Sequence, residues 1–188
     1  MTVIDALNTV ASSVFGNLAP FHLLFYSTLL GTQLFQTFIN TKVCFVALPR
    51  SAFTTLQKRI FPIYFWTQTT LVVLSALTFP PHGVYSLMLR KGDWIPYAVA
   101  AVTSVMNLAV YGPQTQKAMV DCIHQETRDT HKARTNSTDD GPSAEMKVLR
   151  RAFSSNHAMS IHLNLLSIGA MLFHGWQLAS RLTFNTEY

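Results

Sequence analysis

Charged side chains are scarce and unevenly placed. Asp, Glu, Lys and Arg together make up 12% of the 188 residues, about half the ~25% of an ordinary soluble domain. Four stretches contain none of them: 6–41, 60–89, 94–116 and 152–180. Each can hold the ~20 residues that a membrane-crossing helix needs. A soluble four-helix bundle would need charges on its outward faces, and these runs offer none. Only two cysteines occur, Cys44 and Cys122. On the topology below both face the cytosol, where a disulfide is not expected. Signatures of catalysis are missing as well. There is no P-loop, GxSxG or HExxH motif and no carboxylate inside any apolar run, which argues against a carboxylate-driven ion pump. No His/Cys cluster with metal-ligand spacing appears, so neither metal nor cofactor is expected.

What is present reads as an all-α, polytopic four-helix transmembrane bundle, with spans at about 19–40, 61–80, 94–112 and 160–181. Residues 1–18 form a separate unit. Val3, Ile4, Leu7, Val10, Val14 and Phe15 recur at helical spacing, which predicts an amphipathic helix lying at the membrane interface. The remaining 19–188 constitute the transmembrane domain. Gln114, Thr115 and Gln116, then Met119, Cys122 and Ile123, predict a cytosolic extension of span three. Met146, Leu149 and Phe153, with Lys147, Arg150 and Arg151, predict an amphipathic helix leading into span four. Between them, about 127–143 is crowded with Asn, Ser, Thr, Asp, Gly and Pro and reads as a mobile loop.

The net charge of +5 is topological rather than a sign of nucleic-acid binding. Eleven of the fourteen Lys and Arg residues fall in the first and third loops, which places those loops in the cytosol and both termini on the non-cytoplasmic side. The sequon Asn136-Ser137-Thr138 then faces the cytosol and is expected to stay unmodified. Lys42, Arg50, Lys58 and Arg59 stand among apolar residues of the first loop, a composition suited to anionic lipid headgroups. A membrane-protein partner is the other candidate contact.

Every span carries a side-chain amide in its cytosolic half: Gln33 and Gln36, Gln68, Asn107 and Asn164. Such groups either hydrogen-bond the helices together or line a polar pocket. His22 and His174 belong to the opposite half. Ser27 with Gly31, and Ala100 with Ser104, have the four-residue spacing of close helix packing. Pro62 is expected in the first turn of span two, with Tyr64 and Trp66, and later Trp94 and Tyr97, as interfacial aromatics.

The run LPRSAFTTLQKRIFPIYF resembles the transmembrane protein 205-like family. Pro49, Arg50, Gln57, Phe61, Pro62 and Tyr64 carry the likeness, with His22, Ser27, Gly31, Gln33, Phe35 and Phe38 before them. Asn107, Pro113, Thr115, Met119, Phe153, His157, Ser160 and Asn164 follow. The resemblance implies a small four-span membrane protein and brings no catalytic residue. The expected role is non-enzymatic: small-molecule or ion handling, or association with a membrane partner. The alternatives are a small membrane enzyme acting on a lipophilic substrate and a structural or trafficking adaptor.

Overall fold

The computed structural model describes residues 16–135 and 143–181. The expected N-terminal amphipathic helix, apart from its last residues, and the Asn136 sequon lie outside these. Among the described residues there is no strand. The chain forms α1 (Ala19–Leu34), a π-helical turn (Phe35–Asn40), α2 (Thr41–Ala47), α3 (Arg50–Leu77), α4 (Val84–Met88), α5 (Lys91–Met106), a second π-helical turn (Asn107–Tyr111), α6 (Gly112–Thr135) and α7 (Ala144–Ala179). Each π turn keeps helical backbone at its ends. Residues 19–47 therefore make one long first rod, α3 the second, 91–135 the third and α7 the fourth. The third and fourth rods pack together extensively, the first packs on the second, the second on the third, and α1 on α7.

Three helices are long and apolar enough to cross a membrane: Arg50–Leu77, Lys91–Lys132 and Ala144–Ala179. The first rod is absent from this set because His22, Gln33, Gln36 and Asn40 dilute its hydropathy. The arrangement of side chains supports immersion in lipid. Among the described residues, sixteen buried side chains are polar or charged against fourteen that are apolar, while Leu24, Phe35, Phe38, Ile63, Trp66, Val102, Leu166 and Phe173 stand outward. In water that pattern would be upside-down; in hydrocarbon it sends polar groups to the only partners available. At ~1.5 Å per residue, the 36 residues of α7 run about 54 Å, against about 30 Å of hydrocarbon. Roughly a third of the helix or more must project beyond the membrane.

Local chemistry sets the breaks. Leu48 is extended (φ −109°, ψ 143°) because Pro49 follows it, and the first rod ends there. The expected first loop thus shrinks to this corner, with helix on both sides. At the far end Gly83 takes φ +64°, and a side chain there would press to 2.6 Å from the Leu77 carbonyl. Ser143 caps α7 by accepting from the Met146 N–H (3.2 Å). Its hydroxyl also donates to Asp129 (2.8 Å), and this bond holds the Asp129 carboxyl below its ordinary range. α6 continues as helix to Thr135, so the first half of the expected mobile loop is helical.

Two prolines lie inside helices rather than at their starts. Because α3 begins at Arg50, Pro62 is interior, not in a first turn as its sequence context predicts. Its missing N–H leaves the Lys58 carbonyl without a helical donor, and the Gln116 amide supplies one from the third rod (2.9 Å). Pro96 likewise frees the Gly92 carbonyl. With its amide oriented to satisfy both neighbours, Gln177 of α7 donates to that carbonyl (2.9 Å) and to Asp93 (3.2 Å). Pro113 follows one residue after the second π turn, which is closed by Gly112 N–H to Asn107 O.

Candidate functional site

Polar side chains inside the fold separate into two groups. One is built around histidines near the start of α1. His22 Nδ1 lies 2.9 Å from the Ser75 carbonyl, which can only accept, so Nδ1 carries the proton. His22 Nε2 must then accept from His174 Nε2 at 3.2 Å. That assignment leaves His174 Nδ1 as a bare acceptor, and it has no protein partner. Tyr26, Phe79 and Tyr97 surround the pair, with ring centroids 4.9–5.9 Å from His174. Tyr97 bonds Ser75 (2.6 Å) and Tyr26 donates to the Met171 carbonyl (3.0 Å). Tyr26 crosses so close to Gly175 that any side chain there would collide with its hydroxyl. Tyr97 is buried by this packing, so it is no interfacial aromatic. Nearby, buried Asp93 is paired with Arg181 at 2.6 Å.

One helical turn along each rod comes an apolar layer: Leu29, Val72, Ala100 and Met171, each at most 3% exposed. Among the described residues, no continuous polar path crosses it. Thr103 and Ser104 in the third rod do not bridge it either, since their hydroxyls bond back to their own helix.

Beyond this layer lie the amides. Gln33 donates to Ser167 (2.8 Å), as does Gln68 (3.2 Å), which also reaches Asn164 (3.4 Å). Tyr64 donates to Asn164 (2.7 Å), and Asn164 donates to Thr37 (2.7 Å). Gln33, Gln68 and Asn164 are therefore one connected group. Asn107 stands apart, donating to the Ser160 carbonyl (3.1 Å), and Gln36 bonds only Asn40 and Thr41 of its own rod. Among the described residues, the amide oxygens of Gln33, Gln68 and Asn107 have no donor.

The amide group borders a cavity of about 260 Å³ to which all four rods contribute. The first rod supplies Gln36, Thr37 and Thr41. The second supplies Phe53, Gln57, Phe61, Tyr64 and Phe65. Gly112, Thr115, Gln116 and Met119 come from the third, and Phe153, His157, Ser160, Ile161 and Asn164 from the fourth. The first π turn meets it through Gln36 and Thr37, and Gly112, which caps the second, lies on the opposite wall; such widened turns are frequent at functional sites. At Gly112 a Cβ would come within 3.2 Å of the Phe65 ring and 2.5 Å of the Asn107 carbonyl. Among the described residues, no Asp, Glu, Lys or Arg lines the cavity. Gln57 is 3% exposed, and among the described residues neither of its amide atoms has a partner; the Thr115 hydroxyl has none either. Leaving such groups buried and unmatched costs about 1–3 kcal/mol each.

The sequence-derived candidates thus fall in different places. Gln36, Gln57, Phe61, Tyr64, His157 and Asn164 line the cavity, whereas Gln33, Gln68 and Asn107 lie beside it. His22 belongs to the histidine cluster. Pro49 and Arg50 make the corner, where Arg50 meets Glu126 at an exposed 3.1 Å, and Pro62 acts on Lys58. Gly31 faces outward with nothing within 4 Å of a would-be Cβ, so the Ser27–Gly31 pair packs no neighbouring helix here; Ala100 and Ser104 are fully buried. Ser167, Thr37 and Ser75 escaped the sequence reading, which took Gln116 only as part of the extension of span three. For Ser167 a signal existed, its position three residues after Asn164 on the same helical face.

The family described as Domain of unknown function (DUF4149) matches residues 24–124, which hold three of the four cavity walls. Xanthocillin biosynthesis cluster protein D of Aspergillus fumigatus (strain ATCC MYA-4609 / CBS 101355 / FGSC A1100 / Af293) is 41% identical over 166 residues, covering 88% of this chain and 92% of that protein. No solved structure matches.

Proposed function

Since the chain belongs to the DUF4149 family, and its fold carries helices able to cross a membrane, we propose a multi-pass membrane protein that binds a small, neutral, largely apolar molecule. The observation that carries this reading is the charge-free aromatic cavity with unpartnered Gln57 and Thr115 on its wall. Few polar groups on a mainly apolar lining are the usual make-up of a ligand site. Handling of the molecule, by carriage or presentation, is non-enzymatic. The first rod is the fourth span in this reading, its polar face turned inward, and the likeness to the transmembrane protein 205-like family fits the same architecture. Both termini are non-cytoplasmic, so the cavity opens toward the cytosol, where Lys42, Lys58 and Arg59 meet anionic headgroups. The relative named for a xanthocillin biosynthesis cluster supports a role beside small-molecule biosynthesis.

A membrane-enzyme reading draws on the His22–His174 pair. The apolar layer separates that pair from the cavity, so a molecule held in the cavity does not touch it.

Met119 on the cavity wall allows a direct test. With ¹³C-methyl methionine in detergent-solubilised protein, 2-methylnaphthalene should shift the Met119 methyl resonance saturably and leave exposed Met88 unchanged. Thr115→Trp, which fills the cavity, should abolish the shift. Equal shifts at Met88 and Met119 would reduce the effect to partition into the micelle and contradict the reading.

A further inference from the structure

The cavity says more about its occupant than size and polarity. Gln57 is rigidly placed on a helix, and its carboxamide presents a donor and an acceptor side by side, both without protein partners. The Thr115 hydroxyl, on the third rod's wall of the same cavity, also has no partner among the described residues. The remaining amides around the cavity have donated elsewhere: Asn164 to Thr37 and Gln36 to Thr41. Among the described residues, Gln57 is thus the lining amide with both polar atoms unpartnered. Aromatic rings form the walls on either side, Phe61 and Phe65 near-parallel on the second rod (6.0 Å, 21°) and Phe153 and His157 parallel on the fourth (5.4 Å, 9°).

We infer that the cavity takes a flat ring system bearing a neutral amide or lactam, whose adjacent N–H and C=O pair with the Gln57 carboxamide. The inference rests on the cavity reading above and narrows it. A ligand with a lone acceptor leaves the Gln57 C=O unmatched, one with a lone donor leaves the Gln57 N–H unmatched, and a carboxylate brings a charge into a wall with no counter-charge. An amide edge satisfies both Gln57 atoms at once. Thr115 adds a third bond to whichever ligand oxygen or nitrogen faces the third rod.

The Met119 methyl resonance reads the outcome with two probes of one shape, 2-naphthamide and 2-methylnaphthalene. In the unmodified protein the amide should bind about thirtyfold more tightly, the worth of two neutral hydrogen bonds. Gln57→Leu should remove that preference by weakening 2-naphthamide while leaving 2-methylnaphthalene within a factor of a few. Thr115→Val should produce a smaller loss of the same sign. Equal affinity for the two probes in the unmodified protein overturns the amide inference, even should Gln57→Leu fail to fold, and leaves the cavity reading standing. A preference that survives Gln57→Leu also overturns it. If neither probe moves Met119, the inference and the cavity reading fall together.

Discussion

At the scale of single residues, the inside of this protein is a problem of partners. Asn164 is the best example, because it receives from Tyr64 and Gln68 and gives to Thr37, tying three rods with one side chain. Tyr64→Phe keeps the ring and removes the shorter of its two incoming bonds. It should lower stability by about 1 kcal/mol, in line with single interhelical hydrogen bonds in membranes, measured by reversible unfolding in mixed micelles. No change would show that Asn164 does not depend on that donor. The sequence marks Asn164 as an amide in an apolar run but cannot show which groups it meets. Tyr64 and Tyr97 show the limit well. Both sit near span ends in sequence, where tyrosine is commonly interfacial, yet long-range partners, Asn164 and Ser75, draw them inside.

Among the helical elements, the two π turns and the interior prolines set which backbone groups need partners from other rods. The second π turn is closed by the Gly112 N–H on the Asn107 carbonyl, and the same glycine lets the Phe65 ring lie against the backbone. Gly112→Ala places a methyl 2.5 Å from that carbonyl and 3.2 Å from the ring. The variant should lose about 1–3 kcal/mol, the usual penalty for overpacking, with a lowered thermal midpoint, and its Met119 resonance should move without ligand. An unchanged midpoint would mean that the turn relaxes freely. Helix existence was legible from the charge-free runs; helix ends were not. Pro62 looks like a first-turn residue because the apolar run begins beside it, but a charged, amphipathic helix can continue outward from a span. The Gln116 amide that satisfies Lys58 is 58 residues away in sequence, beyond any local pattern.

Taken whole, the molecule is layered along its helices: histidines enclosed by aromatics, a dry turn of Leu29, Val72, Ala100 and Met171, then amides, then the cavity. The dry layer argues against an open pore and fits the proposed binding from one side. The sequence displayed amides in every apolar run, and their common depth pointed to a shared layer. Gln57 was visible only as part of a family-like motif. Its burial depends on α3 beginning at Arg50 and on the third and fourth rods closing over it. A density map of the protein extracted from its native membrane is the most direct test. The account predicts compact non-protein density between the Phe61–Phe65 and Phe153–His157 walls, within hydrogen-bonding distance of Gln57. A cavity closed by its own side chains, with the Gln57 amide bonded to protein, would contradict it.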